Sequence, residues 1–109
     1  MGQILSSLGA GVLTLTLENG PANAMSLAMA RRLAEILAAV PADEEIGAVV
    51  VTGAGRKAFC AGSDIGELKR LHDSGDGPGE LLTAENRAFD LLASLDIPTV
   101  AAVNGTCVG

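Results

Sequence analysis

The run Ile46–Gly53, IGAVVVTG, carries no polar side chain before Thr52. Successive residues of a strand point to opposite faces, so a strand that is apolar on both faces has to be covered on both. That predicts a buried, parallel strand in a sheet flanked by helices. The neighbouring segments fit such a sheet. VLTLTLE (Val12–Glu18) alternates aliphatic residues with threonine, the period of a half-buried strand. Gln3–Ser7 reads as a strand before it, with Leu8–Gly11 as the turn, so the two make a hairpin.

Asn19–Ser26, NGPANAMS, breaks the pattern into a loop. Ser26 is placed to cap a helix running to about Val40, whose Leu33, Ile36, Leu37 and Val40 recur on one face. Arg31, Arg32 and Glu35 point elsewhere, Pro41 stops the helix, and Ala42–Glu45 is a solvated turn. Further on, Asp64 can cap a short helix over Ile65–Asp73, and Ser74–Gly79 is a linker. A longer helix follows from Glu80 to about Leu95, with Leu81, Ala84, Ala88, Leu91 and Leu95 as its apolar stripe. Asp96–Pro98 breaks it, and Thr99–Gly105 reads as a third buried strand. The order β-β-α-β-α-α-β is that of an α/β fold. In such sheets ligands sit beyond the C-terminal ends of the strands. The glycine-containing loops after Gly53 and after Asn104 occupy that place.

The chain has 109 residues, enough for one small domain, and 49% of them are apolar. Its aliphatics are small, with two Phe and no Trp or Tyr, so the core depends on neighbouring structure or on a partner chain. The net charge of −6 and seven scattered basic residues leave no stripe for a phosphate backbone, which argues against nucleic acid. Cys60 and Cys107 have no CxxC spacing and read as small buried hydrophobes in a reducing, cytoplasmic compartment. No basic segment precedes an apolar one at the N-terminus, and no apolar run approaches membrane length. Met1-Gly2 with Ser6 and Ser7 partly matches a myristoylation pattern, but Ile4 and Leu5 read as strand.

The chemistry concentrates in the small-residue loop Ala61-Gly62-Ser63-Asp64. Backbone N–H groups turned into an apolar pocket can hold a carbonyl oxygen that becomes negative, and glycine and alanine leave room for the substrate. Asp64 at a helix start would order the loop. The same residues also suit an ordinary strand-to-helix turn. NGTCVG (Asn104–Gly109) is a second such loop, equally readable as a hydrogen-bonded Asn-Gly turn. TGAGRK (Thr52–Lys57) lacks the spacing of a phosphate-binding loop. His72, the sole histidine, sits on a polar helix with no ligand set around it, so no metal site is expected. The carboxylates mostly line turns and helix faces as solvated charge, and none stands out as a general acid or base.

Three segments in order, NGPANAMS, VVVTGAGRKAFCAGSDI (Val49–Ile65) and IPTVAAVNGTCVG (Ile97–Gly109), resemble the enoyl-CoA hydratase/isomerase (crotonase) superfamily. The middle one follows the pattern G-x-G-x-x-F-(C/S)-A-G-x-D-(L/I) closely, with three residues instead of two between Gly55 and Phe59, and the likeness runs from about Val12 to Gly109. The resemblance implies the N-terminal part of a crotonase-like ββα superhelix and an acyl-CoA thioester as the group that approaches the loop. Coenzyme A then enters as part of the substrate, with no permanently bound cofactor. The Ser63 N–H would be one oxyanion donor, and Gly109 the edge of the loop bearing the second. Asn23, Ala24, Met25, Ala61, Gly62, Asp64 and Ile65 would line the path of CoA and the acyl group. Ser63 departs from the alanine frequent in hydratases, but the donor is main chain.

Hydration of 2-enoyl-CoA is the activity the resemblance implies first. Isomerase, dehydratase or acyl-CoA hydrolase are the alternatives, together with a non-catalytic piece that only binds CoA or assists assembly. The family's catalytic carboxylates follow the glycine run, so the resemblance implies that these 109 residues are inactive alone. It also implies a homotrimer or hexamer for the full-length form, while the charge balance and the lack of a long apolar run argue against a nucleic-acid or membrane partner.

Overall fold

The computed structural model describes residues 2–75 and 77–109. Met1 of the Met1-Gly2 pattern and Asp76 of the linker lie outside the described residues. Strands β1 (Gln3–Gly9) and β2 (Val12–Glu18) form the expected antiparallel hairpin, with Gly9 opposite Val12. The turn is tighter than Leu8–Gly11: Ala10 and Gly11 alone make it, with φ of 52° and 79°. Two consecutive positive φ values are what a two-residue turn matching the strand twist requires. In β2, Leu13, Leu15 and Leu17 are buried between half-buried Val12, Thr14 and Thr16, so the alternation in the sequence is the alternation in space.

Helix α1 (Leu27–Ala39) starts where expected: the Ser26 hydroxyl accepts from the Met29 N–H at 3.2 Å. It runs into a 3-10 turn, Val40–Ala42, which contains Pro41. The chain then returns as β3 (Ala48–Gly53), parallel to β2 with Leu13 beside Val49. Only alternate residues of β3 are fully buried, among them Val49 and Val51; Val50 and Thr52 are half-buried on the far face. The run is therefore parallel and central, as expected, but one face carries most of the burial, because α1 and α3 (Gly79–Ala93) both pack on that side.

Strand β5 (Thr99–Ala102) lies parallel to β3, giving the sheet order β1-β2-β3-β5 among the described residues. It was expected to be buried and is exposed along its length. As the edge strand it has a neighbour on one side only, and its inner face walls an open cavity. Two short strands went unforeseen: β4 (Ala58–Cys60) and β6 (Thr106–Cys107) pair in parallel, within segments read as loops. They bring Cys60 opposite Cys107, and neither is the buried hydrophobe expected, Cys60 being half-buried and Cys107 exposed. Helix α2 (Ile65–Asp73) begins at Asp64, whose Oδ1 accepts from the Glu67 N–H.

Candidate functional site

Two asparagines shape the loop that leaves β3. Asn23, 1% exposed and with φ of 55°, accepts from the Asn19 N–H and donates through Nδ2 to the Ala54 and Ala58 carbonyls, each at 3.0 Å. Asn104 accepts from the Gly53 N–H at 3.0 Å and donates to the carbonyls of Gly53, Gly55 and Ala58. Ala58 O thus takes a donor from each side. The backbones touch here: a Cβ on Gly53 would lie 2.5 Å from the Ala58 oxygen, and one on Gly105 2.5 Å from the Lys57 oxygen. Buried carbonyls need such partners, and these fix where the following residues emerge.

Those residues are Ala61–Asp64. The Met25 N–H donates to Gly62 O at 2.7 Å, and the Asp64 N–H donates to Met25 O at 2.8 Å. This is a single parallel bridge between Met25 and Ser63. In such a bridge the N–H of the middle residue turns away from the partner strand. The Ser63 N–H accordingly has no protein acceptor among the described residues. Gly62 has φ of 89° and Gly109 φ of 111°, conformations that favour glycine. A Cβ on Gly62 would meet Gly109 Cα at 2.9 Å, so the two glycine loops pack backbone to backbone.

Beside them opens a cavity of about 550 Å³ between β5, α3 and the loop. Its lining is mostly apolar and includes Leu33, Val51, Phe59, Phe89 and Leu92 together with Ser63. One wall residue is charged. Glu85 of α3 is 8% exposed and both its carboxylate oxygens lie within reach of the Ser63 hydroxyl, at 2.7 and 2.9 Å. The carboxylates were expected to be mostly solvated charge, and Glu85 is an exception. The sequence held a signal for it: Glu85 falls four residues after Leu81 and three before Ala88, on the buried stripe.

The other residues singled out from the sequence are placed as follows. Met25, Gly62, Ser63 and Gly109 line the cavity. Ala24 is half-buried and offers its carbonyl to Asn19 Nδ2 at 2.8 Å. Ala61 and Asp64 are half-buried at the loop ends, and Asp64 Oδ2 accepts from Asn19 Nδ2 at 3.2 Å. Asn23 faces inward, away from the cavity, and Ile65 stands 80% exposed on the outer surface of α2. Burial pushes the Cys60 thiol above its ordinary pKa. His72 is exposed, and among the described residues no cluster of His, Cys, Asp or Glu could hold a metal ion. No helix among them is long and apolar enough to cross a membrane.

A family model described as enoyl-CoA hydratase/isomerase matches residues 10–109. The 1,2-epoxyphenylacetyl-CoA isomerase of Escherichia coli (strain K12) is 39% identical over 111 residues, covering 97% of this chain and 41% of that protein. The short-chain-enoyl-CoA hydratase of Clostridium acetobutylicum is 34% identical over 87 residues, covering 80% of this chain and 33% of that one. Among solved structures, an enoyl-CoA hydratase/carnithine racemase from Magnetospirillum magneticum superposes with a TM-score of 0.87 at 34% identity, over 97% of this chain and 40% of that one. The chain thus spans between a third and about two fifths of the length of these relatives. A family match over nearly its whole length, and a backbone that overlays crotonase-fold structures, mean that this chain belongs to the enoyl-CoA hydratase/isomerase family.

Proposed function

We propose that this chain supplies the thioester-polarising wall of an acyl-CoA-processing enzyme, with hydration of 2-enoyl-CoA as its reaction. The observation that carries the reading is the Ser63 N–H, which borders an apolar cavity and has no protein acceptor among the described residues. A donor held there by its neighbours' bonds to Met25 costs no reorganisation when a carbonyl oxygen becomes negative, and one such donor contributes on the order of 3–4 kcal/mol to the transition state. Gly109 packs against Gly62, at the edge of the loop to which the second donor is assigned. The acyl group takes the cavity. Coenzyme A, part of the substrate, follows the rim formed by Ala24, Met25, Ala61, Gly62 and Asp64, with Ile65 outermost. Asn23, whose side chain is engaged with Asn19, Ala54 and Ala58, meets CoA through the loop it shapes.

In the same proposal the whole enzyme assembles as a homotrimer or hexamer. The relatives' names support both hydratase and isomerase chemistry. The test is to purify the intact polypeptide as its source cell makes it and to supply crotonyl-CoA. Appearance of 3-hydroxybutyryl-CoA is the expected result. Conversion of 3-enoyl thioesters without hydration would move the assignment to isomerase, and no turnover of any acyl-CoA would sink the reading.

A further inference from the structure

Glu85 is an unusual residue to find in the cavity wall. A carboxylate taken out of water costs several kcal/mol unless it is paired, and the common solution is a neighbouring lysine or arginine. Among the described residues Glu85 has no ion pair, and its carboxylate accepts from the Ser63 hydroxyl. One hydroxyl proton serves two oxygens, so most of the carboxylate's acceptor capacity is left over, on a side chain that lines the cavity. A purely structural anchor for the loop could have been a glutamine or an asparagine, which accept the same hydrogen bond without burying a charge.

The position of the carboxylate matters more than its burial. Ser63 Oγ is joined to its own nitrogen through Cα and Cβ alone, so a carboxylate 2.7 Å from that Oγ lies a short step from the Ser63 N–H. When a thioester oxygen is hydrogen-bonded to that N–H, its α-carbon is bonded directly to the carbonyl carbon, two bonds from that oxygen. The same donor that draws electron density onto the oxygen therefore leaves the α-carbon within reach of Glu85.

We propose, resting on the acyl-CoA reading above, that Glu85 is a proton-transfer residue of this site. The α C–H bond breaks, and its electron pair becomes the carbon–carbon π bond of the enolate. The negative charge settles on the thioester oxygen against the Ser63 N–H, and the proton passes to Glu85. Returning it to the same carbon regenerates the substrate, and returning it to the γ-carbon of an enoyl chain moves the double bond. Neither step needs an oxidant, a reductant or a water molecule. Ser63 is thereby a residue with two functions, its main chain for the oxyanion and its hydroxyl to position the base.

The test uses the intact polypeptide and butyryl-CoA, which lacks a double bond and so reports only α-proton removal. Deuterium uptake from heavy water is followed by mass spectrometry, alongside butyryl-CoA affinity by calorimetry. Glu85→Gln keeps an acceptor for Ser63 but cannot take the proton. The expected result is unchanged affinity and exchange slowed at least about a hundredfold, the lower end of what general acid–base catalysis contributes. A lesser slowing at unchanged affinity overturns the proposal while leaving the acyl-CoA reading standing. Should Glu85→Gln lose affinity, Glu85→Asp decides: affinity kept with exchange slowed at least tenfold supports the role, and a smaller effect overturns it. Failure of the unaltered polypeptide to bind butyryl-CoA overturns both readings.

Discussion

Single atoms set the geometry of this site. Asn104 donates to three carbonyls and accepts from one N–H, all in the stretch Gly53–Ala58. Asn104→Ala removes these at once, and a buried group left without its partner costs about 1–3 kcal/mol. Loss of at least 2 kcal/mol of stability is expected, measured by denaturant unfolding, together with weaker acyl-CoA binding. Gly62→Ala acts differently. Its φ of 89° strains any side chain by roughly 1–3 kcal/mol, and the new Cβ would meet Gly109 Cα at 2.9 Å. Since the Gly62 carbonyl accepts from the Met25 N–H and Gly62 directly precedes Ser63, a shift there moves Ser63, and affinity for acyl-CoA should fall at least tenfold, as titration calorimetry would show.

At the scale of elements, α1 has no acidic residue in its own first turn. Glu67 of α2 stands in for one, accepting from the Leu27 N–H at 3.1 Å while Arg70 Nε donates to it at 3.1 Å. The Arg70 hydrogen bond, aided by that of Leu27, holds the Glu67 carboxyl below the usual carboxylate range, although burial works the other way. A carboxyl lowered on folding stabilises the native state fully above its unfolded pKa, near 4.3, and loses that contribution as pH falls through the lower native value. Glu67→Gln should therefore destabilise the protein at neutral pH and flatten the acid side of its stability curve below about pH 4.3. Equal slopes for both proteins in urea melts across that range would contradict the account.

The same scale shows what the sequence disclosed. Helices and long strands were legible because their apolar periods repeat over several turns or pleats, as in Leu13, Leu15 and Leu17, and because Ser26 and Asp64 are unambiguous caps. The short strands β4 and β6 were not, since three residues and two carry no period and their pairing joins segments far apart in the chain. Glu85 was hidden by its charge. A glutamate on a helix is ordinarily solvated, and only the helix stripe and the position of Ser63 together reveal it as a wall of the cavity. The loop Ala61–Asp64 was legible as a place of close approach, but which of its N–H groups lacks a partner depends on the bridge to Met25.

Over the whole molecule, apolar residues that a small aliphatic core would be expected to gather remain outside. Val100, Val103 and Val108 are 53%, 56% and 60% exposed, and Phe89 and Leu82 are exposed as well. Val100 and Val103 follow the open edge at β5, and Val100, Val108 and Phe89 line the cavity; exposed apolar surface of this kind favours association. The 109-residue polypeptide produced alone is expected to self-associate with rising concentration, which sedimentation velocity would reveal; a monomer at every concentration would run against this view.

The central claim is that the Ser63 N–H polarises a thioester carbonyl, and infrared spectroscopy tests it most directly. Butyryl-CoA labelled with carbon-13 at the carbonyl is bound to the intact polypeptide at saturation, and its carbonyl stretch is compared with that of the free thioester. The account predicts a band shifted clearly to lower frequency in the complex, because a strong donor on the oxygen weakens the carbon–oxygen double bond. A bound thioester whose band stays at the free position would contradict it.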